Sequence, residues 1–202
     1  MKRRDLLAAA IAFAAAPALA QTQPPAPPPV RVKLQTSEGA IVIELATAQA
    51  PITTANFLRY VDQKRYDGAS FYRASRAPGA PEYGLIQGGL NGDPKKVLKA
   101  IRHESTTKTG LSHKDGTISM GRFAPGTATS DFFILIGDGP EFDADPKASG
   151  DNQGFAAFGQ VVEGMDVVRK ILARPVAARG GTGAMKGEML KQPVKIVSAR
   201  RE

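Results

Sequence analysis

The stretch from Val30 to Leu45 constrains the fold more than any other part of the chain. Val30, Val32 and Leu34 alternate with Arg31, Lys33 and Gln35, a Ser37-Glu38-Gly39 turn follows, and Ile41, Ile43 and Leu45 then alternate with Val42 and Glu44. Successive side chains of a strand point to opposite faces, so a period of two gives one apolar and one polar face. Two such segments across a short turn make a hairpin whose apolar face must find a partner. Further strands are predicted around Ser70 to Ser75, Leu85 to Leu90, Thr117 to Met120, Ala156 to Val162 and Val194 to Ser198. Phe132 to Ile136, apolar throughout, reads as a strand buried on both sides. Helical spacing occurs twice. Ile52, Ala55, Leu58 and the pair Phe57/Val61 follow Pro51 to about Gln63, and Met165, Val168 and Leu172 share a face between Gly164 and Arg174-Pro175. The strands seldom alternate with helices. A doubly wound sheet is therefore disfavoured, and a mainly β antiparallel barrel or sandwich with helices over its open ends is expected.

The 202 residues divide into three parts. Lys2, Arg3 and Arg4 precede an apolar stretch of about 11 residues and an Ala18-Leu19-Ala20 pattern, the form of a cleavable export signal over 1–20. A membrane-spanning helix needs about 20 apolar residues, so no stable membrane anchor is expected. Residues 21–29, QTQPPAPPP, read as an extended linker, and the folded domain is expected over 30–202. Removal of 1–20 takes away three basic and one acidic group, lowering the net charge from +8 to about +6. The remaining excess is scattered without a basic, aromatic-interleaved stripe, which argues against nucleic-acid binding. Cysteine is absent, excluding disulfides, thiolate catalysis and a thiol-linked lipid. The expectation is a monomeric periplasmic protein, exported by the general secretory or the twin-arginine route after cleavage near Ala20.

Most catalytic constellations are missing. His103 and His113 sit in a long polar connection, residues 91–116, beside Glu104 and Lys114, and read as solvated loop residues. Long connections often carry function, here without a residue pattern to say which. DADPKASGDNQG, residues 143–154, puts Lys147 and Ala148 where a calcium loop needs a ligand and a glycine, so no metal is expected. Arg179-Gly180-Gly181-Thr182-Gly183 lacks the strand and lysine of a phosphate loop. What stands out is Arg73 in a strand directly after Phe71 and Tyr72, where it has five fixed donors and serves either a neighbouring carboxylate or a substrate.

FYR at Phe71–Arg73, QGG at Gln87–Gly89, GTISM at Gly116–Met120, SDFFI at Ser130–Ile134 and FAAFGQVVEGMDVV at Phe155–Val168 occur in that order. This ordered set resembles the cyclophilin-type peptidyl-prolyl isomerases, with their F-H-R or F-Y-R, Q-G-G, S-M-A, S-Q-F-F-I and F-G-x-V-x-x-G-M segments. The resemblance covers Val30 to Ser198. It implies a closed antiparallel eight-stranded barrel capped by two α-helices, and rotation of X–Pro bonds in exported proteins without a cofactor. By the resemblance Arg73, Gln87 and Phe133 are catalytic. Phe71, Leu85, Met120, Gly121, Arg122, Phe132, Phe142 and Phe155 are implied to meet the substrate, a proline-containing segment of an unfolded or partly folded chain. Departures fall at the rim. Glu141 stands where many members have tryptophan, Phe155 where histidine is usual, and Gly121-Arg122 where Ala-Asn is common. A six-residue expansion between Arg73 and Gln87 leaves Gly84 or Tyr83 at the usual aromatic wall, where Tyr83 is the candidate to replace the missing ring. A peptide-binding chaperone of the same fold without useful catalysis is the alternative reading.

Overall fold

A computed structural model describes residues 29–202; the expected signal segment and all but the last residue of the expected linker lie outside the described residues. The elements in order are β1 Val30–Thr36, β2 Gly39–Leu45, α1 Pro51–Asp62, β3 Ser70–Ala77, β4 Ala80–Gly89, α2 Thr106–Thr109, β5 Thr117–Met120, β6 Phe132–Ile136, β7 Ala156–Glu163, α3 Met165–Leu172 and β8 Met189–Arg201. The eight strands close into an antiparallel barrel in the order β1-β2-β7-β5-β6-β4-β3-β8. Of the barrel and sandwich left open by the strand pattern, the barrel is the outcome. Among the described residues its α-helices are the two expected ones plus the single turn α2.

The alternation of the first hairpin works as read. Val32 and Leu34 of β1 face Ile43 and Ile41 of β2 across the ladder, and all four are fully buried in the barrel. Ile86, Ile118, Met120, Phe132, Ile134 and Phe158 fill the same interior. From α1, Phe57 enters the core and meets Phe132 edge-on at 5.5 Å and Phe158 at 5.2 Å. Such aromatic contacts add about 0.5–1.5 kcal/mol beyond burial. Val167, Val168, Ile171 and Leu172 give α3 its buried side.

The long 91–116 connection is fastened by Glu104, which accepts hydrogen bonds from the Ile52 and Thr53 backbone N–H groups at 3.1 and 2.7 Å and from the Thr53 hydroxyl at 2.6 Å. Ala50 supplies no side-chain cap, so a carboxylate from a distant segment satisfies the orphan donors of α1 and its positive end. The expansion after Arg73 lengthens the β3–β4 hairpin. Arg76 from it donates to the carbonyls of Leu172 and Arg174 at the end of α3, at 2.7 and 2.6 Å. Gly84, at φ +136°, lies where a Cβ would fall 2.0 Å from the Ser75 carbonyl oxygen, which leaves no room for an aromatic wall.

Candidate active site

Three strand pairings set out a row of residues across the barrel wall. Arg73 on β3 lies opposite Gln87 on β4, Gln87 opposite Phe133 on β6, and Phe133 opposite Ser119 on β5. Directly opposed residues of an antiparallel ladder share a face. The flanking Phe71, Ile86, Phe132, Ile134 and Met120 belong to the interior, so the row lies on the outside. A bulge makes this possible. The pairing of β3 with β4 shifts between Phe71 and Arg73, with Tyr72 the extra residue, and the pairing with β8 is irregular at the same place, where the extra residues lie on β8. Phe71 and Ala74 can then both point inward although three positions apart, while Tyr72 and Arg73 both reach Gln87.

Arg73 is held from two sides. Its Nη1 donates to Gln87 Oε1 at 2.7 Å, and its Nε and Nη2 contact Glu188 Oε2 at 2.8 and 2.6 Å. Gln87 Nε2 donates to the Tyr72 hydroxyl oxygen at 2.9 Å, which fixes the orientation of the amide. Burial, with Asp131 nearby, raises the Tyr72 pKa well above its ordinary value, so the phenol stays neutral. Nε and one hydrogen of Nη1 thus donate within the protein and Nη2 makes an ion-pair contact with the same Glu188 oxygen, which leaves at least one N–H each on Nη1 and Nη2.

Arg122 is a useful contrast. It donates through Nε and Nη2 to the Gly154 carbonyl, through Nη1 to the Phe123 carbonyl, and through Nη1 and Nη2 to Asp151. All five donors are engaged, and its side chain is 5% exposed. The guanidinium lies 5.1 Å above the Phe155 ring. The Arg122 guanidinium in turn holds the Asp151 carboxyl down to about 2. The side chain clamps the segment 151–154 over Phe155, so any meeting of Arg122 with substrate falls to the backbone of its segment.

Beside the row is an aromatic cluster. Phe133 packs with Leu85 and Leu135, and its ring lies 5.3 Å from Phe155, edge-on, and 5.5 Å from Phe142. Leu85, Phe142, Phe155 and Phe133 are brought together as expected. Phe71, Met120 and Phe132 are not in this cluster. Each is fully buried inside the barrel, so direct contact with a substrate is corrected to support of the wall from behind. Gly88 makes room for the Phe71 ring, which would lie 2.8 Å from a Cβ there. Gly121 lies beside the Gln87 amide. Tyr83 rests against Gly137, and no ring contact among the described residues joins it to the cluster.

His113 corrects the reading of a solvated loop residue. Its side chain is buried, stacked at 12° on the Phe133 ring with centroids 6.1 Å apart. Its Nδ1 lies 2.6 Å from Asp143 Oδ1 and its Nε2 2.9 Å from the Ser119 hydroxyl. Burial lowers its pKa below the ordinary value, with Asp143 opposing in part. The neutral ring, with its proton on Nδ1 toward Asp143 and Nε2 accepting from Ser119, satisfies every polar atom of the group. His103 is half-exposed, 2.9 Å from the Gln153 carbonyl.

Sequence reasoning missed Tyr72, Ser75, His113, Asp143 and Glu188. Asp143 was legible only as part of a failed calcium loop, and Glu188 only as the end of a glycine-rich stretch. Two surface hollows, of about 250 and 440 Å³, are lined by residues such as Gln49 and Gln160 or Arg102 and Lys108 and include none of the row. The row lies instead on the wall between β3 and β6, next to the apolar cluster of Phe133, Leu85, Phe142 and Phe155.

Residues 31–201 match the family described as cyclophilin type peptidyl-prolyl cis-trans isomerase/CLD. A peptidyl-prolyl cis-trans isomerase of Acinetobacter baylyi is 36% identical over 170 residues, covering 84% of each chain. Peptidyl-prolyl cis-trans isomerase B of Escherichia coli is 34% identical over 170 residues, covering 83% of this chain and 96% of the relative. The crystal structure of a cyclophilin type isomerase from Cryptosporidium parvum superposes with a TM-score of 0.68 at 20% identity, covering 86% of this chain and 97% of the other. Fold, row and family match agree: the chain belongs to the cyclophilin-type peptidyl-prolyl cis-trans isomerases.

Proposed function

We propose that this isomerase accelerates X–Pro rotation by seating the proline ring on the Phe133, Phe142, Phe155 and Leu85 bed, with Arg73 donating to the amide nitrogen as the bond twists. The observation that carries the reading is the row itself, with a guanidinium that keeps two free donors beside an apolar cluster. Resonance between nitrogen and carbonyl sets a barrier of about 18–20 kcal/mol. Going from about 10–100 s to milliseconds requires about 5.5 kcal/mol of selective stabilisation. No nucleophile, general base or cofactor is called for. In the twisted state the lone pair returns to nitrogen and can accept a hydrogen bond, so a donor at that point favours the twisted over the planar bond. A charge-assisted hydrogen bond supplies about 1.5–3 kcal/mol of this. The apolar bed supplies more, because the planar amide is the more charge-separated form and loses more on leaving water. Gln87 holds Arg73 and offers its amide to the substrate backbone.

The substrates we propose are proline-containing segments of exported proteins in the periplasm, met by a monomeric enzyme. The basic, apolar and small-residue pattern of 1–20 supports this setting. Exchange NMR on an Ala-Pro peptide with the 21–202 chain tests the chemistry. Wild type is expected to accelerate exchange, and Arg73→Ala to lose about 10–100-fold while peptide shifts persist. Shifts without acceleration in wild type would turn the assignment toward a peptide-holding role. Fractionation of cells producing the full chain tests the setting, with mature protein expected in the periplasm.

A further inference from the structure

The glycine-rich stretch after α3 has a use that phosphate binding does not explain. Its backbone donors turn inward: Gly180 N–H to the Ala177 carbonyl, Met185 N–H to Thr182, Lys186 N–H to Gly183 and Gly187 N–H to Gly180. The folded loop ends on Glu188, which is attached to three successive residues of β3. Its Oε2 meets Arg73 Nε and Nη2 at 2.8 and 2.6 Å, its Oε1 accepts from the Ser75 hydroxyl at 2.7 Å, and its backbone carbonyl accepts from Ala74 N–H at 2.9 Å. The Arg73 and Glu188 side chains are 17% and 27% exposed, so the pair is more desolvated than an ordinary surface ion pair.

We infer that Glu188 is a positioning residue for the isomerase reaction, an inference that rests on the reading of Arg73 given above. A guanidinium on a flexible stem loses rotamer freedom whenever it is fixed. Glu188 fixes it before substrate arrives, taking the Nε and Nη2 side while Gln87 takes one hydrogen of Nη1. Donors oriented in advance need no reorganisation in the twisted state, which is where preorganised dipoles gain over water. The carboxylate also offsets the charge of the cation, so the site offers directed hydrogen bonds rather than a bare positive charge. The arginine thus serves both of the partners its sequence context allowed, a carboxylate on one edge and a substrate on the other.

Exchange NMR on the Ala-Pro peptide, with kcat and KM separated by titration, tests this in Glu188→Ala, Glu188→Gln and Glu188→Asp. Glu188→Ala is expected to lower kcat about tenfold and move KM less than twofold. Glu188→Gln keeps an acceptor and is expected to retain at least a third of kcat. The Arg73 Nε–H resonance, shielded from solvent exchange in wild type, is expected to broaden in the alanine variant and persist in the glutamine one. If the alanine variant does not fold, Glu188→Asp, with its carboxylate drawn back by one methylene, carries the test with an expected three- to tenfold loss in kcat. Unchanged kcat in the folded variants, or a loss confined to KM, would overturn the inference. An inactive wild type would instead sink the isomerase reading and not Glu188 alone.

Discussion

At the scale of single residues, His113 links the active-site wall to pH. Its pKa in the folded chain lies below the ordinary value of 6.5 because burial outweighs the pull of Asp143. Between those two values the unfolded chain binds a proton that the folded chain does not. The stability His113 contributes is therefore full above about pH 6.5 and falls as pH drops toward the folded pKa. The groups facing it are Asp143, Glu141, Ser119 and the rings of Phe133 and Phe142, and only the two carboxylates pull the pKa upward. Thermal unfolding followed from pH 7.5 to 5 is expected to show a Tm loss in wild type that is smaller in His113→Gln. In a domain of this size each kcal/mol of linkage moves Tm by about 2–4 °C. Parallel curves would mean that other groups account for the slope. Arg73 and Phe133 were legible in the sequence because short motifs surround them. His113 was not, since Asp143, Ser119 and Phe133 reach it from segments that the barrel alone brings together.

At the scale of elements, the site depends on parts that carry no chemistry. The strands and the two longer helices could be read from periods of two and of 3.6, although β4 begins at Ala80 and not Leu85, and β8 runs from Met189 to Arg201, well beyond the expected Val194 to Ser198. What period cannot show is how loops close, because that depends on partners far along the chain. Glu104 caps α1 across 51 residues, and Arg76 caps α3 across 96. Glu104 is the sharper test because three donors converge on its carboxylate. Glu104→Ala is expected to destabilise the fold by about 1.5–3 kcal/mol, the range for lost hydrogen bonds to a charged acceptor. Urea unfolding measures it, and isomerase activity per folded molecule is expected to stay within twofold of wild type. A midpoint equal to wild type would show that water replaces the carboxylate without loss.

At the scale of the whole molecule, β8 is the closing element: it pairs with β1 on one side and β3 on the other. A chain ending before Met189 is expected to lack a folded barrel although most core residues remain, which amide dispersion in a proton–nitrogen NMR spectrum would reveal. Well-dispersed signals from the shortened chain would show that seven strands suffice. The closure has a consequence for timing. Pairings between distant segments form late, after the entropy of bringing them together has been met. The first strand waits for the last, and Arg73 waits for a carboxylate 115 positions downstream. A chain delivered N-terminus first presents its arginine long before the carboxylate that orients it. On the positioning role inferred for Glu188, full activity is then expected only once the last strand is in place.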